Sequence, residues 1–102
     1  MKVMVDVCLV PVGVGVSVSR YVAACQRIFE EAGLEHQLHP YGTVVQGDWT
    51  AVFGAIEQCH TAVHEMGAPR ITTTLKVGTR TDRSQTMAEK VASVQSKLTE
   101  AP

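Results

Sequence analysis

The chain has 102 residues, 45% of them hydrophobic and 19% charged, with a formal net charge of -1. That length suits one domain with its own core, and so small a domain gains from association because much of its surface stays wet. A charge this near zero removes the electrostatic case for nucleic acid or an anionic membrane, and no apolar run approaches the length of a membrane span.

Val3 to Val10 reads as the first strand. Val3, Val5, Val7 and Leu9 point one way, and Lys2, Met4, Asp6 and Cys8 the other. Pro11 and Gly13 close it, since proline cannot donate to a ladder. Asp6 interrupts the apolar run, and Pro11, Gly13 and Gly15 break it, so the segment is strand plus loop and not a targeting sequence. A carboxylate in mid-strand requires solvent, a cationic partner or a ligand.

Ser17 or Ser19 then caps a helix running to about Ala32, with Val18, Tyr21, Val22, Cys25, Ile28 and Phe29 as its apolar stripe and Gly33 as its stop. Glu35 to His39 and Thr43 to Gly47 form two short strands joined around Pro40-Tyr41-Gly42, a hairpin. In the second of these, Val44, Gln46 and Asp48 share one side, and Thr43, Val45 and Gly47 the other. Asp48 caps a second helix striped by Trp49, Val52, Phe53, Ile56, His60 and Val63, which ends at Met66-Gly67.

Arg70 to Val77 is the most strand-like run in the chain, rich in β-branched residues. Ile71, Thr73, Leu75 and Val77 fall on one face; Arg70, Thr72, Thr74 and Lys76 make the other wholly polar, so it meets water, a ligand or a wet interface. A loop from Gly78 to Arg83 leads to a last helix, capped by Asp82 or Ser84 and striped by Met87, Val91, Val94 and Leu98. The order β-α-β-β-α-β-α, over residues 1–102, is that of a single ferredoxin-like α/β sandwich with an extra C-terminal helix. Two helices cover one sheet face, and the other is left to the third helix or another subunit. The first and fourth strands are expected as antiparallel central neighbours, in the order 4-1-3-2.

Candidate chemistry is sparse. Cys8, Cys25 and Cys59 are odd in number and unclustered, which argues against a disulfide framework and for a reducing cytoplasm. His60 and His64 share a helix face beside Cys59, but no third ligand stands at a recognised spacing, and His60 reads better as a hydrogen-bonded, partly buried side chain than as a metal ligand. His36 and His39 flank a short strand and are expected to be exposed. No GxSxG, P-loop, HExxH or GxGxxG pattern occurs. Between Gly67 and Arg83, Arg70, Lys76, Arg80 and Arg83 are answered only by Asp82, either as an anion site or as a solvated loop.

The segments Tyr41-Gly-Thr-Val-Val-Gln-Gly-Asp48 and Gly67-Ala-Pro-Arg-Ile-Thr-Thr-Thr-Leu-Lys-Val-Gly-Thr-Arg80, with Pro11-Val-Gly13 and Ser19-Arg-Tyr-Val22 upstream, carry a resemblance. Together with the element order, they make the chain similar to the small single-domain thiamine-binding protein family, related to the two-repeat YkoF-type proteins, from Val3 to about Leu98. The resemblance implies ferredoxin-like domains that assemble through their sheets as dimers or tetramers. It also implies binding of thiamine or its hydroxymethylpyrimidine moiety near subunit contacts. Members often have Glu where this chain has Gln46. The amide keeps an acceptor for an exocyclic amine and adds a donor for a ring nitrogen, but it cannot neutralise a thiazolium; Asp6 and Asp48 are the carboxylates nearby in strand order.

The leading expectation is therefore a cytoplasmic, non-enzymatic protein that needs no cofactor or metal. It binds a thiamine-like small molecule where the open sheet face meets a neighbouring subunit, through Asp6, Thr43, Gln46, Asp48, Thr72, Thr74 and Lys76. Lys76 repels a thiazolium but welcomes a phosphate ester. The same polar residues would equally hydrogen-bond across a sheet-to-sheet contact in a ligand-free assembly module. An enzyme holding a phosphorylated metabolite on Arg70, Arg80 and Arg83 is the third class, without a recognisable nucleophile–base pair to support it.

Overall fold

The computed structural model describes residues 1–100; the last two residues of the expected 1–102 domain lie outside them. The elements are β1 (Lys2–Val12), α1 (Ser19–Glu31), β2 (Glu35–His39), β3 (Gly42–Asp48), α2 (Trp49–Glu65), β4 (Arg70–Gly78) and α3 (Met87–Leu98). The four strands make one sheet in the order β2-β3-β1-β4, with every neighbouring pair antiparallel. This is the ferredoxin-like βαββαβ arrangement with an added C-terminal helix. Read from the other edge this is the expected order 4-1-3-2, with β1 and β4 antiparallel neighbours; of those two only β1 is central, since β4 stands at the edge.

Alternation in β1 and β3 determines which face is covered. Val3, Val5, Val7 and Val45 are all buried, and α1 and α2 close over them with Tyr21, Cys25 and Phe29 from one helix and Val52, Ala55, Ile56, Cys59 and Val63 from the other. The buried members of α1 recur at every fourth position, so a single narrow stripe reaches the sheet. Gly33 stops α1 at φ 69°, a left-handed value that costs glycine nothing, and lets the Leu34 amide donate back to the Phe29 carbonyl at 3.1 Å.

Several local expectations are revised. β1 runs through Pro11, which pairs with Ile71 of β4; β3 ends opposite Val7, so one side of β1 has no partner strand there and tolerates a proline. Val18, not Ser17 or Ser19, occupies the N-cap of α1 and makes no side-chain cap bond. Asp48 does sit at the N-cap of α2, but its carboxylate turns to Lys2 Nζ at 3.2 Å instead of capping. Thr86 caps α3, its hydroxyl accepting from the Glu89 amide at 3.1 Å, in place of Asp82 or Ser84. His36 and His39 are half-buried, not exposed: His36 Nδ1 donates to the Leu34 carbonyl at 2.9 Å, and His39 reaches the sheet face.

α3 buries none of its residues, and Val91, Val94 and Leu98 are exposed. It does not lie over the open sheet face. Among the described residues, no helix is long and apolar enough to cross a membrane.

Candidate functional site

The strand register sorts the candidate residues. Opposed pairs share a face, and Val3, Val5 and Val7 face the helices, so Met4, Asp6 and Cys8 face away from them. Across from these stand Gln46 and Val44 on β3, and Lys76 and Thr74 on β4, with Thr72 opposite Val10. β2 adds Glu35 opposite Gln46 and Gln37 opposite Val44.

Gln46 is the most engaged of these side chains. Its Nε2 donates to Glu35 Oε2 at 2.6 Å, and its Oε1 accepts the backbone N–H of Met87, the first residue of α3, at 2.6 Å. Asp6 is likewise held from β2: His39 Nε2 donates to its Oδ1 at 2.7 Å, while His39 Nδ1 accepts the Tyr41 amide at 3.3 Å. Asp6 and Lys76 are direct partners in the β1–β4 register, yet the carboxylate takes histidine, not lysine, as its hydrogen-bond partner.

Where the chain leaves β4, the 78–86 loop bends back beside these residues and borders an open cavity of about 930 Å³. Met4 and Val44 supply apolar floor, Asp6, Gln46 and Lys76 the polar groups of the sheet, and the loop and the start of α3 the far wall. The loop is fixed by Arg80, whose Nε and Nη2 donate to the two Asp82 carboxylate oxygens at 2.6 and 2.8 Å and whose Nη1 donates to Gln85 at 2.7 Å. Hydrogen bonds from Arg80 hold the Asp82 carboxyl down to about 2, below the usual carboxylate range.

The structure thus brings Asp6, Gln46 and Lys76 together and separates the other candidates from them. Thr43 lies on the opposite, helix-covered face, 4% exposed, where its hydroxyl accepts from Gln26 Nε2 of α1 at 2.8 Å. That correction follows from strand alternation, which puts Thr43 with Val45. Thr72 and Thr74 do face outward, but further along β4 than the cavity, and Asp48 does not line it, its carboxylate being paired with Lys2, which does. Of the candidate cations, Lys76, Arg80 and Arg83 line the cavity and Arg70 does not. Sequence reasoning missed Glu35, His39 and Lys90. For the first two a signal existed: a hairpin that pairs His39 with Gly42 necessarily puts Glu35 beside Gln46. Lys90 depends on the path of the loop, which no periodicity encodes.

Two further candidates have structural work to do. His60 Nε2 is 2.7 Å from the Thr73 hydroxyl, joining α2 to β4, and His64 Nδ1 donates to the Ala68 carbonyl at 2.8 Å beyond the end of α2. Cys25 and Cys59 are buried free thiols on the two packed helices; the hydrogen bond with Cys25, and then burial, push the Cys59 thiol well above the ordinary range.

Comparison with known proteins agrees with this fold. A UPF0045 protein of Synechocystis is 61% identical over 96% of this chain and 81% of its own length. A UPF0045 protein of Eremothecium gossypii is 41% identical over 95% of this chain and 93% of its own. The crystal structure of a hypothetical protein from Methanocaldococcus jannaschii, 30% identical, superposes with a TM-score of 0.85 over 92% of this chain and 96% of that one. A Thermotoga maritima structure described as a putative thiamine biosynthesis/salvage protein has a TM-score of 0.78 at 18% identity, over 92% of this chain and 99% of that one, and shares the fold. The family described as thiamine-binding protein matches residues 5–95, nearly the whole chain, and the protein belongs to that family.

Proposed function

We propose that this chain, acting as a single ferredoxin-like domain, binds thiamine or a related hydroxymethylpyrimidine compound without turning it over, in the open-face cavity of a cytoplasmic homo-oligomer. The observation that carries this is the convergence of Gln46, Asp6 and Lys76 on one apolar-floored cavity in a member of a thiamine-binding family. An aminopyrimidine presents an exocyclic amine to be accepted and a ring nitrogen to be met by a donor. Gln46 spends one Nε2 hydrogen on Glu35 and one Oε1 lone pair on Met87, and one of each remains. Asp6 is the carboxylate of the cavity wall and the natural counter-charge for a thiazolium.

Self-association is supported by α3. An isolated helix of 12 residues is marginal in water, and this one has Val91, Val94 and Leu98 exposed and nothing buried. A second copy of the chain covering that stripe and the outward sheet face would complete both the helix and the open side of the cavity. The same stripe favours a second reading, a ligand-free module that exists to assemble.

Titration calorimetry separates the readings. Thiamine or hydroxymethylpyrimidine should bind more tightly than about millimolar, and Gln46→Ala should weaken it. No heat from either compound, with an oligomer present in light scattering at micromolar concentration, would leave the assembly reading. A monomer under those conditions would remove the interface from the proposal.

A further inference from the structure

We infer that the cavity carries a built anion subsite and takes its pyrimidine ligand as a phosphate ester, the phosphoryl group held by Lys76, Arg83 and Lys90. This rests on the proposed pyrimidine reading and specifies the form of the ligand. The charge distribution is the starting point. The chain has 9 Lys and Arg against 10 Asp and Glu. Among the described residues, five of those cations (Lys2, Lys76, Arg80, Arg83 and Lys90) line this cavity, against one carboxylate, Asp6. A solvated surface with random charge placement would have mixed both signs there.

Pairing leaves the imbalance in place. Lys2 has Asp48 at 3.2 Å and Arg80 has Asp82 at 2.6 Å; Asp6, whose Oδ1 accepts from His39 at 2.7 Å, stays as one negative charge against Lys76, Arg83 and Lys90. Among the described residues, no carboxylate lies within 4.0 Å of the Lys76, Arg83 or Lys90 head groups. They come from three different elements: β4, the loop and α3. Three like charges bordering one open cavity repel each other, and a multiply charged oxyanion between them relieves that repulsion while gaining charge-assisted hydrogen bonds. Arg83 offers a planar fork and the two lysines point charges, while Thr79, Thr81 and Ser84 on the same wall add hydroxyl donors of the kind phosphate oxygens accept.

The floor decides what the anion is attached to. Met4 and Val44 are apolar, so a flat ring rests there while its charged substituent reaches the loop. The volume of about 930 Å³ accommodates both parts. Unphosphorylated thiamine brings only a cation into this field. Its phosphate esters bring enough negative charge to reverse the sign of that interaction.

The test is calorimetry on the full chain with thiamine, thiamine monophosphate, thiamine diphosphate, hydroxymethylpyrimidine, its phosphate, and inorganic diphosphate alone, each at low and high salt. Each phosphate ester should bind about tenfold or more tightly than its parent alcohol, as expected for one or two charge-assisted bonds. That advantage should shrink as salt rises. Lys76→Gln, Arg83→Gln and Lys90→Gln, all exposed positions that the fold tolerates, should each reduce affinity for the esters more than affinity for the parent alcohols. Equal binding of ester and alcohol, or an ester preference that survives the triple variant, would overturn the inference. Binding of inorganic diphosphate with no affinity for any pyrimidine would uphold the anion subsite and overturn the pyrimidine reading instead.

Discussion

The Gln46 side-chain oxygen accepts the backbone N–H of Met87 at 2.6 Å, across a separation of 41 residues. One side chain in the sheet thereby joins three things: β2 through Glu35, the start of α3, and the cavity between them. It also gives a local reason for glutamine at this position. A glutamate here would set its carboxylate against that of Glu35, where the amide now donates at 2.6 Å.

Gln46→Ala should therefore have two separable effects. The start of α3 loses its anchor, a loss of about 1 kcal/mol for a neutral hydrogen bond, seen as faster amide exchange over Met87–Leu98. Affinity for hydroxymethylpyrimidine falls as well. Faster exchange with unchanged affinity would show Gln46 to be only a strut for the helix.

Thr43→Val distinguishes the two sheet faces. Thr43 accepts from Gln26 of α1, so removing its hydroxyl should destabilise the fold by about 1 kcal/mol, by leaving a half-buried donor unmet. Ligand affinity should not change, because the side chain points away from the cavity. Urea unfolding and calorimetry on one variant check both statements.

Phe29 is 1% exposed at the centre of the α1 stripe. Phe29→Ala should cost about 3–5 kcal/mol, a large share of the roughly 5–15 kcal/mol that native domains possess, and lower the urea midpoint accordingly.

Thiol labelling reports on the outward face. Cys8 is half-buried there, whereas Cys25 and Cys59 are in the core and Cys59 is held as the neutral thiol. At neutral pH an alkylating reagent should modify Cys8 first in dilute, dissociated protein and all three after denaturation. Protection of Cys8 that grows with protein concentration would place the subunit contact on that face.

The Asp82 carboxyl, held down to about 2 by Arg80, makes the loop sensitive to acid. Because the folded value lies below the ordinary carboxylate value of about 4, the contribution of this pair is complete above that range and is lost as pH falls through the folded value. NMR titration should find the Asp82 carboxyl still ionised at a pH where free aspartate is mostly protonated. Asp82→Asn should remove that transition and loosen residues 78–86.

The elements were legible wherever burial imposes a period. Val3, Val5 and Val7 alternate because one face of β1 is dry, and Tyr21, Cys25 and Phe29 recur by fours because one helix stripe is. Helix starts were legible only in part: Asp48 does occupy the N-cap of α2, but Val18 and Thr86 hold those of α1 and α3, where nearby Ser and Asp residues compete and the path of the loop decides. Of the expected site, Asp6, Gln46 and Lys76 could be brought together by strand order alone. Thr43 was on the wrong face by the same alternation that put Val44 and Gln46 on the right one. Arg83 and Lys90 reach the cavity through an irregular segment, and position along the chain says nothing about where such a segment turns.

β4 is an edge strand of nine residues, bonded to β1 on one side and, among the described residues, to no strand on the other. Such an edge is a template for another strand, and charged side chains along it are a common safeguard against indiscriminate fibre-like growth. Arg70 and Lys76 are the charges β4 possesses. Lys76 thus guards solubility as well as facing the cavity, and the residue chosen to replace it decides what an experiment measures. Glutamine keeps the edge polar. Valine or isoleucine would extend the β-branched character of Ile71 to Val77 along an unguarded ladder, and the apparent loss of binding would then record the protein leaving solution.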